Sequence, residues 1–296
     1  MAKIKKPKQN NQDIYFHLPG MFIYHKAYNI LLPLFKQRPE VLRKNIIIKS
    51  VYGSPNCIWN GGRVIHGYST KELLIEIRDF MAEMDIPVRF TFTNPILEDK
   101  HTYDTYGNLL LEIFNTGKNE ILCNSEILEN YIRKNYNYKY ISSTTKRLNI
   151  KKFQSEEIQK KEYDLVVLDY DHNKDFVYLK NIEDKNRCEL LCNPVCKSKC
   201  EKRQEHYEHI GFCQLNQSES VLMCLDSNKP FYEAQKGKNF ISNADINNIY
   251  LPMGYQNFKL EGRTAPPIDW IEIILYYLIK DEYKPEIRFL LQSTLL

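Results

Sequence analysis

The sequence predicts an α/β fold, a (β/α)8 barrel with an insertion between strands seven and eight, and two observations support it. Eight short runs of apolar, β-branched or aromatic residues recur along the chain, and segments with helical spacing separate them. Continuous apolar runs of this kind are typical of parallel strands buried on both faces. No internal linker or low-complexity stretch interrupts the alternation, so the units close most simply into one barrel. An open doubly wound sheet is the alternative, because periodicity does not distinguish a closed parallel sheet from an open one.

The predicted elements follow one another without a break. Strands are predicted at residues 14–18, 45–52, 88–94, 120–124, 139–145, 164–170, 188–193 and 257–263. Helices are predicted at residues 22–36, 70–84, 104–115, 125–134, 155–161, 173–182, 197–209 and 267–280. The clearest helix is 70–84, where Leu73, Ile77 and Phe80 share one face after the cap at Ser69 or Thr70. We expect Pro33 to kink or shorten the first helix.

The domain organisation predicted is a single barrel over residues 13–296, preceded by a disordered basic tail over residues 1–12. The extra length lies between the seventh and eighth strands, at residues 210–256, where a short helix is predicted at 243–250. In barrels, insertions that follow a strand lie over the C-terminal face, where active sites are built. We therefore expect this insertion to cover the functional end of the barrel.

Composition excludes several classes of protein. The chain has 41 basic and 37 acidic residues and a net charge of +4, so nucleic acid is a conceivable partner that is not favoured. No apolar segment is long enough to span a membrane, and the N-terminus lacks the pattern of a secretory signal. These features predict a cytoplasmic protein, whose eight cysteines would be reduced thiols or metal ligands rather than disulfides.

Polar residues follow nearly every predicted strand and indicate a site at the C-terminal face. The first, third and sixth strands end near His17, Asn94 and Asp169, and the loop after the second strand carries Arg63. Asn and Asp are also ordinary turn formers and helix caps, so the interpretation depends on the set rather than on any one residue.

The cysteines predict a metal centre. Cys196 and Cys200 are one helical turn apart at the predicted start of the helix after strand seven, where their sulfurs would project to one side and the helix dipole would favour thiolate. Cys57, in the loop after strand two, lies on the same predicted face. A closed site needs a fourth ligand. Cys224 in the insertion is preferred, with Cys213 and Cys192 as alternatives.

A family resemblance supports this hypothesis. NPVCKSKCEKRQEHYEHI, followed further along by LPMGYQNFKLEGR, resembles the collagenase-like peptidase family U-32. The resemblance implies a barrel and often a [4Fe–4S] cluster held by four cysteines, in relatives that hydroxylate substrates without oxygen or are called peptidases. By motif, Cys196 and Cys200 match the cysteine pair, Cys57 matches a loop cysteine that some relatives use, and Glu261 and Arg263 match the Glu-Gly-Arg element.

The sequence thus predicts an iron–sulfur enzyme of redox or hydroxylase type that acts on a small molecule or peptide. Its expected metal ligands are Cys57, Cys196, Cys200 and Cys224, with zinc as the alternative to [4Fe–4S]. The expected catalytic residues are Glu261, Arg263 and Asp169, and the expected substrate-binding residues are His17, Asn94 and Arg63. Glu261 is either a general acid or base or simply a partner for Arg63. The rival hypotheses are a peptidase and a non-enzymatic, metal-stabilised subunit that binds a partner.

Overall fold

Eight parallel strands close into a barrel in the computed structural model, which describes residues 12–146, 156, 158, 161–220 and 229–296. The strands are β1 Ile14–Pro19, β2 Ile46–Gly53, β3 Val88–Phe92, β4 Glu120–Cys123, β5 Lys139–Ser142, β6 Leu165–Val167, β7 Cys188–Leu191 and β8 Asn257–Lys259. Each strand pairs with the next, and β1 pairs with β8 through Tyr15 opposite Asn257. The predicted barrel is therefore confirmed, and the open sheet is excluded.

Helices surround the barrel between the strands. They are α1 His25–Gln37, α2 Lys71–Glu83, α3 Thr105–Phe114, α4 Glu126–Asn135, α5 Phe176–Asn181, α6 Arg203–Leu215, α7 Phe231–Ala234, α8 Asn243–Asp245, α9 Leu251–Met253, α10 Pro267–Leu278 and α11 Lys284–Leu295. A π-helical turn at Ile246–Tyr250 joins α8 to α9. Within the described ranges, none of these helices has the length and apolar character needed to cross a membrane.

The predicted start of α2 is confirmed by its cap. Thr70 Oγ1 accepts a hydrogen bond from Leu73 N at 3.3 Å, which satisfies one of the free N–H groups of the first turn. The helix then buries Leu74, Ile77 and Met81 against the barrel. This packing of one apolar face fixes how α2 lies on the sheet.

The helices differ from the predicted ones in three places. Pro33 lies inside α1, which continues to Gln37, so the shortening expected as one of its two effects does not occur. The helix after β7 begins at Arg203 rather than at residue 197, because Lys199 has a φ of 52°, in the left-handed region that a helix does not use. The C-terminal helix α11 was not predicted. Residues 1–11 of the tail predicted at residues 1–12, and most of the predicted helix at 155–161, lie outside the described residues.

Apolar side chains fill the space between the sheet and the helices. Large buried members of this layer include Phe16, Phe90, Phe258 and Trp270. Inside the barrel the composition differs from one side to the other. The wall from β4 to β6 contributes a small apolar cluster of Leu122, Ile141 and Val167. Glu120 on β4 and residues of the remaining strands contribute charged and polar groups to the interior.

Arg89 crosses the barrel interior and connects opposite walls. Its Nε donates to Glu120 Oε2 on the neighbouring strand at 2.6 Å, and its Nη1 donates to Glu189 Oε2 on β7 at 2.6 Å. Its Nη2 lies 2.9 Å from Nδ1 of His17 on β1. Arg89 and Glu189 have no exposed surface. A buried arginine that binds two carboxylates balances charges that would otherwise be unpaired in a medium of low dielectric constant.

We predict that Arg89→Met lowers the free energy of unfolding by about 3–5 kcal/mol, since it leaves two buried carboxylates without their partner. Urea denaturation measures the change. The matched control is Arg78→Met. Arg78 pairs with Asp79, whose side chain is 63% exposed, and loss of this surface ion pair should lower the free energy of unfolding by at most about 1 kcal/mol. Equal stability losses in the two variants would contradict the assigned role of Arg89.

Candidate functional site

A cavity of about 680 Å³ opens at the carboxyl ends of the strands. Seven of the eight strands, or the segments that follow them, contribute to its wall through Tyr52, Thr91, Leu122, Ser143, Tyr170, Leu191 and Lys259. The insertion between β7 and β8 also reaches the cavity, through Ser220, Lys229, Phe231 and Ala234. The expectation that this insertion covers the C-terminal face is therefore confirmed.

Glu261 and Arg63 form an ion pair in the cavity wall. Arg63 Nη2 donates to Glu261 Oε1 at 2.6 Å, and the backbone N–H of Val195 donates to the other carboxylate oxygen at 3.1 Å. The Glu261 backbone is fixed as well. Its N–H donates to Oδ1 of Asn193, and its carbonyl accepts a hydrogen bond from Nδ2 of the same side chain. The carboxylate therefore ties the loop after β2 to the loop after β7.

Arg263 lies beside this pair, but its own partners are neutral. Its Nη1 donates to Asn60 Oδ1 at 2.9 Å and also to the hydroxyl of Thr91. Its Nη2 donates to the carbonyl of Gly61. Burial lowers the pKa of Arg263 to about 10, so the side chain stays a cation at neutral pH.

Gly262 allows Glu261 and Arg263 to face the same cavity. Its φ is 142°, which side chains rarely adopt, and a Cβ there would lie 3.1 Å from Ile273 Cδ1. Gly61 permits the approach of the opposite loop, because a Cβ there would lie 2.3 Å from the carbonyl oxygen of Thr93. Gly262 thus lets the chain turn tightly between Glu261 and Arg263.

Lys259 lies deeper in the cavity than Glu261 and on the same face of the chain. Its Nζ lies 3.9 Å from Glu189 Oε1 and 4.2 Å from the centroid of the Tyr52 ring. Burial lowers the pKa of Lys259 to about 7, Arg89 and Arg263 lower it further, and Glu189 opposes them. A substantial fraction of this amine is therefore unprotonated at neutral pH.

Cys196 also contributes to the cavity wall. Burial raises the pKa of its thiol, and the nearby carboxylate of Glu261 adds to that rise, whereas Arg63 opposes it. His206 and Tyr207 on α6 line the same region. Burial lowers the pKa of His206, with Arg63 as a further cause, so its imidazole is neutral at pH 7. This side of the cavity thus presents a thiol, a neutral imidazole and a phenol.

His17 lies in the barrel interior, not in the cavity wall. Because Arg89 donates to its Nδ1, the imidazole proton is on Nε2, which faces Glu189 Oε2 at 3.3 Å. Burial lowers the pKa of His17 to about 3, Arg89 also lowers it, and Glu189 opposes them. His17 is thus a neutral part of the network that holds Glu189 beneath Lys259.

Asp169 and Asn94 hold loops in place. Arg203 Nη1 donates to Asp169 Oδ1 at 3.1 Å, and its Nη2 donates to Asp171 Oδ2 at 2.8 Å. Asp171 also accepts a hydrogen bond from the backbone N–H of Lys199. Asn94 donates to the carbonyls of Ile58 and Gly211. Of the six predicted catalytic and substrate-binding residues, the cavity brings together Glu261, Arg263 and Arg63.

The predicted metal ligands are divided between different environments. Cys57 is 2% exposed within the apolar core, and burial raises the pKa of its thiol strongly. Cys196 and Cys200 lie in the loop before α6, so the helical placement expected for them is wrong. In the described ranges, no three His, Cys, Asp or Glu residues are grouped so as to hold a metal ion. Cys224, the preferred fourth ligand, lies outside the described residues.

Comparisons with known proteins support the fold. No family model and no curated protein matches the sequence. A solved structure described as that of the U32 peptidase Mk0906 superposes with a TM-score of 0.52 over 90% of this chain and 98% of its own, at 10% sequence identity. The barrel is U32-like. At this identity the similarity shows the fold and not the activity.

Residues that the sequence analysis missed lie deep in this U32-like barrel. Arg89, Glu120, Glu189 and Lys259 are each a charged residue within a predicted buried strand. Side chains alternate across a strand, so Lys259 shares the inward face with Asn257 and Glu261. A charged residue at an inward position of a predicted buried strand therefore indicates a polar barrel interior, and these four residues could have been found in this way.

Proposed function

We propose that this U32-like barrel is an enzyme that binds a small carboxylate-bearing molecule, an organic acid or a short peptide, in its mouth. The observation that carries the proposal is the buried guanidinium of Arg263, whose partners in the described part of the chain are all neutral oxygens. Three of its five N–H donors are used in these bonds, which leaves two for a ligand. A planar guanidinium is well suited to a carboxylate.

The charges around the cavity support an acidic ligand. Arg63 and Arg263 contribute guanidinium cations to the wall, and the carboxylate of Glu261 is already paired with Arg63. Asp269, a further carboxylate of the wall, accepts a hydrogen bond from the backbone N–H of Phe231. A ligand carboxylate would thus be the close anionic partner that Arg263 lacks among the described residues. Because Arg263 is buried in the cavity wall, its attraction for such a ligand is less screened than at the protein surface.

Two reaction classes are compatible with such a ligand. The first is the iron–sulfur redox or hydroxylase chemistry predicted from the cysteines, and the position of Cys196 in the cavity wall supports it. The second is peptide hydrolysis, supported by the description of the structurally similar U32 protein as a peptidase. Glu261 would then be the general acid or base, as predicted from the sequence.

We predict that the wild-type protein binds carboxylates in preference to their amides. Isothermal titration with pyruvate, succinate and Ala-Ala, each beside the compound in which amides replace its carboxylates, should give affinities at least about tenfold higher for the acids. Arg263→Lys keeps the positive charge but loses the planar set of N–H donors. The affinity for the acids should therefore fall by about tenfold, and the affinity for the amides should stay unchanged.

Arg288→Lys, which alters an arginine paired with Glu272 on the outside, is the matched control and should bind like the wild type. Amides that bind the wild-type protein as tightly as the acids would overturn the proposal. That comparison needs no variant, so it remains decisive even if Arg263→Lys folds poorly.

Metal and acid-labile sulfide analysis of anaerobically purified protein separates the two reaction classes. The redox hypothesis predicts iron and sulfide that are lost in Cys196→Ala and retained in Cys188→Ala, which alters a buried strand thiol. The peptidase hypothesis predicts a colourless protein whose peptide cleavage is lost in Glu261→Gln and kept in Cys196→Ala. A protein without iron and sulfide contradicts the first hypothesis, and a protein without Glu261-dependent cleavage contradicts the second.

A further inference from the structure

Lys259 is placed where a nucleophilic amine would meet a bound ligand. It belongs to β8, a rigid element, and its side chain lines the cavity together with that of Arg263, four residues further along the chain. An anion on Arg263 would therefore lie in the same cavity as the amine. Groups on strands are held more precisely than groups on mobile loops.

The amine of Lys259 is not held by a close ion pair. Its carboxylate neighbour is Glu189, whose Oε1 is 3.9 Å away and has no hydrogen-bond partner. The other oxygen of Glu189 is bound by Arg89 at 2.6 Å. Because Arg89 holds this carboxylate on the far side, Lys259 keeps only a long contact to it.

Lys146 offers an internal comparison, because its side chain is also largely removed from solvent. The side chains of Lys146 and Lys259 are both 8% exposed. Lys146 Nζ, however, lies 3.0 Å from Glu129 and also donates to the Tyr163 hydroxyl. Despite its burial, the pKa of Lys146 is raised, with Glu129 the main cause of the rise. Lys146 thus has close partners that favour its charged form, whereas the carboxylate contact of Lys259 is 3.9 Å long.

Charged and titratable groups face Lys259 from several elements. They are Glu189 on β7, Arg89 on β3, Tyr52 on β2, His17 on β1, and Glu261 and Arg263 just after β8. Two of them are arginines that stay cationic, which favours the neutral amine. The neutral amine is the form that attacks carbonyl carbons.

We propose that Lys259 forms an imine with a 2-oxo acid whose carboxylate is bound by Arg263. The lone pair of Nζ forms a bond to the carbonyl carbon, and a proton passes from nitrogen to oxygen to give a carbinolamine. The C–O bond then breaks, and the carbonyl oxygen leaves as water with the two protons of the amine. No oxidant or reductant takes part. The inference rests on the proposed carboxylate site and adds the ligand class and the reacting residue.

Reductive trapping tests this inference. The full-length protein is incubated with pyruvate and sodium cyanoborohydride, and the adduct is located by peptide mass mapping. Lys259 should be modified about tenfold faster than Lys146 or any surface lysine. Its rate of modification should rise with pH through about 7, the pKa of this amine, and not only near the value of ordinary lysines. Lys259→Arg should lose the adduct, and Lys146→Arg should retain it.

Modification of Lys259 no faster than that of surface lysines overturns the proposal, and this readout uses wild-type protein alone. Acetone, which has the carbonyl but no carboxylate, separates the two claims. If pyruvate binds in the titration experiment but is not trapped, the imine is wrong and the carboxylate site stands. If Lys259 is trapped as readily by acetone as by pyruvate, the amine is reactive and the role of Arg263 is wrong.

Discussion

Arg89 is the group on which the interior of this barrel depends. A single guanidinium bridges Glu120 on the adjacent strand and Glu189 across the barrel, at 2.6 Å each. Such an arrangement is tolerated in the interior only because every charge has a close partner. Arg89 also donates to His17, which fixes the imidazole proton on the nitrogen that faces Glu189. In the lower half of the barrel interior, Arg89 therefore joins three strands into one polar network.

The same network determines the chemistry of the mouth. Glu189 forms its close ion pair with Arg89, at 2.6 Å, so its contact with Lys259 is longer, at 3.9 Å. Higher in the cavity, Glu261 is committed to Arg63, so Arg263 is surrounded by neutral oxygens. Arg263 thus has no close anionic partner among the described residues where the barrel opens, and an acidic ligand would provide one. The electrostatics of the cavity thus depend on two carboxylates that already have arginine partners, Glu189 below the cavity and Glu261 in its wall.

The sequence was sufficient for the barrel and for part of the site. Apolar runs located all eight strands, and the Glu-Gly-Arg turn placed Glu261 and Arg263 at the mouth because strand ends in a barrel converge there. A residue at a strand end can either face the cavity or bind a neighbouring side chain, and the sequence does not distinguish the two. Asp169, for example, was expected in the cavity but binds Arg203. Lys199 has a left-handed φ, and Cys196 and Cys200 therefore lie outside a helix. The spacing of the cysteines does not predict this backbone conformation.

The most direct test of this account is the titration of Lys259 itself. Protein labelled with ¹³C at lysine Cε can be followed by NMR from pH 5 to 11, with Lys259→Arg used to assign the resonance. The account predicts that Lys259 titrates with a pKa of about 7, separated from the surface lysines near their ordinary value. A Lys259 resonance that titrates together with the surface lysines would mean that Glu189 stabilises the ammonium after all, and would contradict the account.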